Sequence, residues 1–348
     1  LRVKGGDLLF CRTSLVADGV GHSALVRILS EPTVFASNLI RARLDRKLAE
    51  PRFWFYYFRS PAGKEQRLSI ARGTSVTTIT GPDISSLEVP VPPLFEQRRI
   101  AGVFTALDDK IEHNRLLSAR LADVLSLDFR ERFAPVLAIS VSDGDGWESG
   151  ILGDEIEVIM GQSPPGSSYS EDREAGPPLI QGKADLGSRF PVPSRYTSAP
   201  TKRARSDDVL FTVRAPVGEI NIADREYCVG RGVAALRSNL GVYAEQLVRA
   251  LAARWAAEES GTIFPSVNRS QIAGLEINRP PRQLAERFDR QHRPTYELIG
   301  LLDRENRTLV GIRDALLPKL VSGQIRLPPS YDPDVVLGTV AEASGAAV

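Results

Sequence analysis

The sequence is poor in the residues that most often carry chemistry or cross-links. It has two cysteines, Cys11 and Cys228, and neither stands in a CxxC or Cys/His spacing. That excludes a zinc ribbon and a disulfide framework, and both read as small buried thiols in a reducing compartment. The three histidines, His22, His113 and His292, are scattered along the chain, so clustered metal or acid–base work by imidazole is not expected. No apolar run approaches the roughly 20 residues of a membrane span. The opening stretch "LRVKGGDLLFCRTS" has no apolar core followed by a small-residue cleavage site. A cytoplasmic chain with no membrane partner is the resulting expectation.

Lysine is scarce too: only seven of the 44 basic residues are lysine, and the rest are arginine. Arginine's planar fork matches phosphates and guanine edges bidentately, where lysine offers a point charge. A G+C-rich genome produces the same bias, so the total decides nothing; net charge is only +1. At 348 residues, 42% apolar and 25% charged, the chain is long enough for two or three separately cored units.

What the sequence does contain is a repeat. "GTSVTTITGPDISSLEVPVPP" (73–93) and "GTIFPSVNRSQIAGLEINRPP" (261–281) align without a gap at an offset of 188, identical at seven of 21 positions. Upstream of each, "GDLLFCRT" (6–13) is echoed by "DDVLFTVR" (207–214), an apolar run after an acidic residue that reads as a buried strand. Each half then has a helical stretch, "EPRFWFYYFRS" (50–60) and "GVYAEQLVRALAARW" (241–255). The halves differ at their beginnings. About 55 residues, from Trp147 to Lys202, precede the second strand and only six precede the first, so the first module reads as lacking its opening portion.

After each repeat block comes a long charged segment with helical periodicity. The first is placed at about 95–133, after "VPVPP" and before Pro135. Ile100, Val103, Leu107, Asn114, Leu117, Leu121 and Val124 form its candidate seam. At about 1.5 Å per residue, some 38 residues span about 57 Å, longer than a small domain is wide, so the helix needs a partner. The second segment, about 295–322, offers Leu298, Leu302, Leu309, Ile312, Leu316 and Leu320. "HNRLL" (113–117) and "ENRTL" (305–309) set an asparagine in each seam, where a polar residue fixes register at some cost in stability. The expected fold class is α+β: two mixed α/β modules, each followed by a long helix, with the two helices packed on each other and holding the modules apart in a pseudo-twofold repeat.

Catalytic signatures are missing. "GPPLIQGKA" (176–184) has five residues between its glycines and ends in Ala184, so it is not a P-loop. "SPPG", "VPPL" and "RPPR" lack the aromatic that would hold a flipped base, and "PDISSLEVP" has Pro90 where a nuclease lysine would stand. Binding remains. Between Leu179 and Arg237, ten basic residues face six acidic ones, interleaved with turn glycines.

Three stretches carry a resemblance: "VPPLFEQRRIAGVFTALDDKIEHNRLL" (91–117), "DVLFTVRAPVGEINIADREYCVGRGVAALR" (208–237) and "ENRTLVGIRDALLPKLVSGQI" (305–325). With them the chain resembles the specificity subunits of type I restriction-modification systems, over nearly its whole length to about residue 327. The resemblance implies target recognition domains at 1–93 (N-terminally incomplete) and 147–281, conserved helices at 94–134 and 282–326, and a tail at 327–348. It implies a non-catalytic subunit. Each domain would read half of a split double-stranded DNA target, while the two long helices pair into an antiparallel coiled coil that spaces the domains and docks methyltransferase subunits, with a restriction/translocase subunit joining through the complex. No cofactor is then expected on this chain, since S-adenosylmethionine, ATP and Mg belong to partner subunits. Lys183, Arg189, Arg214, Arg231, Asn268 and Arg269 are the candidate DNA contacts, arginine for guanine or phosphate and asparagine for adenine. The alternative is a truncated subunit that docks methyltransferase without two-part recognition.

Overall fold

The computed structural model describes residues 2–27, 29–73, 75–137, 146–257, 266–328 and 331. Gly261 and Thr262 of the repeat block, and nearly all of the tail, lie outside the described residues. The chain divides into two compact units, Leu1–His113 with Asn306–Val348, and Asn114–Glu305.

In the first unit, β1 (Leu8–Cys11) is followed by the short β2 (Thr13–Ser14), then β3 (Ser23–Leu25) and β4 (Leu39–Ala42). β1 is central, antiparallel to β3 on one side and β4 on the other, and Leu8 and Phe10 on one of its faces are buried. Helices α1 (Pro51–Arg59) and α2 (Pro61–Ser69) follow, each with proline at its first position, where the missing N–H costs nothing. α1 supplies an aromatic wedge of Phe53, Trp54, Tyr56, Tyr57 and Phe58 to the core. β5 (Thr77–Thr78) pairs with β2, and α3 (Gly81–Ser85) leads toward the long α4 (Leu94–Arg132).

In the second unit, β6 (Glu148–Ile151) and β7 (Glu157–Met160) come first. A five-stranded sheet is built from β8 (Tyr169–Ser170), β9 (Pro178–Ile180), β10 (Arg195–Thr197), β11 (Arg203–Ala204) and β14 (Tyr227–Val229). A second sheet, in the order β13-β12-β15-β7, contains β12 (Val209–Thr212), β13 (Ile220–Ile222) and β15 (Val233–Arg237). α5 (Gly241–Ala257), α6 (Arg269–Ala273), β16 (Glu276–Arg279) and α7 (Arg282–Val321) complete it, with β16 antiparallel to β6. α7 begins well before the 295 suggested by its leucine pattern, because Ala285, Phe288 and His292 continue its buried face.

The sequence repeat is a repeat of structure. β1 pairs with β3 and β4 as β12 pairs with β13 and β15, register for register: Leu8 faces Leu25 and Ala42, and Val209 faces Ile222 and Leu236. The acidic residue ahead of the strand recurs with its partners. Asp7 is buried and takes a bidentate pair from Arg43 (2.7 and 2.8 Å) and the Lys4 amide (2.8 Å). Asp208 is buried and takes the same from Arg237 (2.9 and 2.7 Å) and the Arg205 amide (2.7 Å). The quoted repeat block contains a short capped helix in both halves. The Thr80 side chain caps α3 and Asn268 caps α6, each reciprocated by the third residue on, Asp83 and Gln271.

The family-like motifs have structural explanations. Gln97 of "PPLFEQ" is fully buried; its Oε1 accepts from the Glu50 amide (3.0 Å), and its Nε2 donates to the Leu48 and Pro92 carbonyls (3.1 and 2.8 Å), tying the start of α4 to the start of α1. In "SGQI", Gly323 has φ 74°, a left-handed cap that ends α7 and favours glycine.

Along α4 and α7 the partners run in opposite order, as in an antiparallel pair. In the first unit Asp108 meets Arg313 (2.9 Å) and the Ile111 carbonyl accepts from Asn306. In the second Asn114, wholly buried, donates to Glu305 (2.7 Å), and Asp128 meets His292 (2.6 Å). The seam departs from the leucine pattern. Ile100, Asn114 and Leu302 are buried, whereas Val103, Leu107, Leu117, Leu121, Leu309 and Leu316 are half-buried; Phe104, Ile111, Leu125 and Phe129 are the deeper residues of α4. Val124, Leu298 and Ile312 are exposed. Strict 3,4 spacing from Ile100 passes through Phe104, Leu107, Ile111, Asn114, Ser118, Leu121 and Leu125, and the small polar Ser118 is half-buried there, as Leu117 beside it is.

This phase is checked by paired substitutions. Leu125→Asp is expected to cost at least about 3 kcal/mol of the second unit's stability, since it buries a charge in an apolar seam. Val124→Asp, one residue away, should change stability by no more than about 0.5 kcal/mol. Urea denaturation of the full chain followed by circular dichroism measures both.

Candidate nucleic-acid interface

The C-terminal ends of β7, β9, β12 and β14 form one rim of the second unit. The loops leaving them are tied by backbone bonds: Gly161 N–H to the Val233 carbonyl, Gln162 to Val229, Gly230 to Ile180, Val213 to Gly232 and Val267 to Val213. Gly161 makes this possible, since a Cβ there would lie 2.1 Å from the Gly230 carbonyl oxygen. Loops 161–163, 181–183, 213–219, 230–232 and 266–269 are therefore held on a rigid frame, the arrangement on which side chains can reach a groove with defined geometry.

Five of the six candidates stand on these loops. Arg214 follows β12 and is exposed, its backbone bridged to Ser266. Arg231 is exposed at the tip of the Gly230–Gly232 turn, its amide and Nε both donating to the Ser163 hydroxyl (3.3 Å each). Arg269 is exposed at the first position of α6. Lys183 is exposed and paired with Glu219 on the facing loop. Asn268 is exposed, but its carboxamide oxygen is committed to the cap, accepting from the Gln271 amide (3.0 Å) and the Ser270 hydroxyl (2.6 Å). Lys202, which sequence reasoning counted among the basic residues but did not single out, is exposed beside Val229 on the same rim, the Val229 amide donating to its carbonyl (2.9 Å). Its place directly before β11 was the usable signal.

Arg189 is in another situation. It is buried, and its two terminal nitrogens donate to the carboxylate oxygens of Glu245 (3.1 and 3.0 Å), with its guanidinium 4.5 Å from the Tyr296 ring centroid. Glu245, on α5, also takes Arg249 (2.8 Å). Burial pushes the Glu245 carboxyl up, and the guanidinium groups of Arg189 and Arg249 more than offset it, holding it below the ordinary value. Burial disfavours the Arg189 charge, and Glu245 outweighs that, raising its pKa. Arg189 is thus a structural cation, and it leaves the set of candidate DNA contacts. A charge census along the chain could not separate it from its neighbours, because its partner lies 56 residues away.

The first unit repeats two of the rim's backbone bonds without the charges of the side chains beside them. The Arg12 amide bonds the Asn38 carbonyl and the Ile79 amide bonds Arg12, the counterparts of Val213 with Gly232 and Val267 with Val213. In the places of Arg214, Arg231, Asn268 and Arg269 stand Thr13, Ser37, Thr80 and Gly81. Arg12 is the exposed cation nearest to them in sequence.

Among the described residues no group of three or more His, Cys, Asp or Glu is placed to hold a metal, and no helix is long and apolar enough to cross a membrane.

Residues 2–121 match the family model described as Type I restriction modification DNA specificity domain. The putative type I restriction enzyme MjaX specificity subunit of Methanocaldococcus jannaschii is 27% identical over 337 residues, covering 92% of this chain and 79% of that protein. The MjaIX specificity subunit of the same organism is 24% identical over 298 residues, 79% of this chain and 69% of that protein. The crystal structure of a type I restriction-modification system S subunit from M. genitalium matches with a TM-score of 0.61 at 16% identity, over 91% of this chain and 83% of that one, a likeness of fold.

Removing the Arg189 charge tests its structural role. Arg189→Met is expected to destabilise the second unit by about 3–5 kcal/mol, because it leaves Glu245 buried with less compensation. Adding Glu245→Gln should restore part of the loss. In the parent protein Glu245 titrates below its ordinary value, so its contribution is present above about pH 4.5 and is lost as pH falls below that. Urea titrations at pH 7 and pH 4 measure both effects.

Proposed function

Because the chain belongs to the family of type I restriction-modification specificity subunits, we propose that it is the non-catalytic DNA-recognition component of such a complex. Each of its two units reads half of a split double-stranded target, and the long helices dock methyltransferase subunits and link the readers. The observation that carries this reading is the second unit's rim, where Arg214, Arg231, Arg269, Lys183 and Lys202 project from loops locked by backbone bonds. Phosphate contacts would set register and base-edge contacts would carry sequence. S-adenosylmethionine, ATP and Mg are then used on partner subunits, with the restriction/translocase subunit joining through the complex.

A second reading is favoured by one observation, the uncharged Thr13, Ser37 and Gly81 of the first unit in the places of Arg214, Arg231 and Arg269. On it, the second unit supplies most of the recognition and the first serves mainly as scaffold.

The two are separated by co-expressing the chain with its methyltransferase subunit and mapping methylated adenines across a genome. A split motif supports two readers, and a single half-motif or a palindrome supports one. A stable complex that methylates without any motif overturns the recognition role. In the same assay Arg214→Ala and Arg231→Ala are expected to relax one half of the motif, with about 1–3 kcal/mol of discrimination lost for a base contact. For a phosphate contact the motif stays and the slope of log affinity against log salt falls by about 0.9.

A further inference from the structure

Where the second unit presents Arg214, the first presents bare aliphatic side chains. β2 and β5 form a two-stranded ribbon, Thr13 facing Thr78 and Ser14 facing Thr77. Beyond Ser14 and Thr77 the two chains carry Leu15, Val16 and Val76, which are 84%, 67% and 45% exposed. The counterpart of this ribbon in the second unit is the bridge between Arg214 and Ser266. There Arg214, Ala215 and Pro216 are exposed too, on a rim that also holds the ends of β7 and β9, so outward presentation belongs to this place on the frame. The link that carries the tip, 12–22 between β1 and β3, is longer than the 213–219 link between β12 and β13.

The longer link is pinned on both sides of its tip. Arg67 of α2 is buried, and its guanidinium donates to the Asp18 carbonyl (2.8 Å), the Val20 carbonyl (2.7 Å) and the Asp18 carboxylate (2.9 Å). Lys64 meets the other oxygen of Asp18 (2.8 Å). The Val16 amide donates to the Ser14 hydroxyl (3.1 Å), and the Val16 carbonyl accepts from Gly19 (2.8 Å). A single exposed leucine is ordinary, but three aliphatic side chains at one end of an ordered ribbon form a contact patch. Cations stand at the ribbon's foot. Arg12, exposed, precedes β2, and Arg72 bridges by its backbone to Thr78 of β5, its side chain largely exposed although it meets Asp83 (2.8 Å).

Resting on the reading of this chain as a DNA-recognition subunit, we propose that the tip of the β2–β5 ribbon is the reading element of the first unit, and that Leu15 and Val16, with Val76 beside them, recognise thymine through its C5-methyl group. The major groove admits a two-stranded ribbon, and the thymine methyl is the apolar group on its floor, so an aliphatic tip selects for it as an arginine selects for guanine. Arg12 and Arg72 at the foot are placed for the flanking phosphates, which set register without carrying sequence. The first unit thus reads by apolar contact where the second reads by charge.

The test uses the complex of the full chain with its methyltransferase subunit, once its methylation motif is mapped. Binding is measured to a duplex carrying that motif and to duplexes with deoxyuridine in place of thymine, one half of the motif at a time; uracil lacks only the C5-methyl and keeps the base pair. In one half, affinity should fall about fourfold for each contacted methyl removed, the loss expected when one methyl-sized group is no longer buried. With Leu15→Ser and Val16→Ser together, thymine and uracil duplexes should bind alike in that half, with the circular dichroism spectrum unchanged. A double variant that still separates thymine from uracil as the parent does overturns the proposal, as does a motif in which neither half depends on the methyl; in both cases a split motif leaves the recognition role standing. Methylation without any motif removes the recognition role itself and this proposal with it. A double variant that folds but no longer assembles with the methyltransferase subunit also overturns it, since the tip is then a protein contact.

Discussion

Each unit is organised around a buried carboxylate at the head of its central strand. Asp7 and Asp208 are withdrawn from water, which costs several kcal/mol unless charge and hydrogen bonds are supplied in return. Both receive the same return, a bidentate arginine from the end of the neighbouring strand and a backbone amide three residues upstream. The Arg43 guanidinium is the main cause that holds the Asp7 carboxyl below its ordinary value, ahead of the opposing effect of burial. Because the arginine stands just where the partner strand ends, the pair fixes that strand's register against the central one. A slip of one residue would strand the carboxylate and turn the apolar face outward. The helix that follows, α1 or α5, is thereby placed over the same face of the sheet, where its aromatic and aliphatic residues close the core.

Much of this frame was legible because its signals are local. The acid before an apolar run in "GDLLF" and "DDVLF" marked both central strands, and "TGPD" and "NRSQ" carry their capping residues three apart, as a helix start requires. α1 and α5 announced themselves through their apolar faces. The seam of the long helices was less legible for a physical reason. Its phase depends on which residues face a partner helix distant in sequence: Ser118 is half-buried as Leu117 beside it is, and Arg313 is half-buried while Ile312 beside it is exposed. Arg313 fits there because Asp108, itself bonded by the Tyr56 hydroxyl (2.7 Å), meets it.

The candidate site shows the same division. That the basic stretch belongs to loops could be seen from its glycines, and the structure gathers those loops by bonds between backbones. Which arginine is exposed and which is buried could not be seen. Arg189, Arg214 and Arg231 look alike in the sequence, yet one is spent on a carboxylate from α5 and two stand on exposed turns. Burial of a guanidinium is decided by its partner, and a pairing across 56 residues has no local trace.

The rim makes the separation of frame and reading explicit. Two of its backbone bonds occur in both units, those made by the residue after the central strand, while the side chains above them differ at the four candidate positions that have counterparts: Thr13 for Arg214, Ser37 for Arg231, Thr80 for Asn268 and Gly81 for Arg269. Thr80 and Asn268 still share one duty, the helix cap, because an oxygen two bonds from Cα or three can accept the same amide. The positions without a backbone duty are the ones that lose their charge. A frame that satisfies its own polar groups leaves its outward side chains unconstrained by folding, so two units can keep one architecture and present different chemistry at the rim.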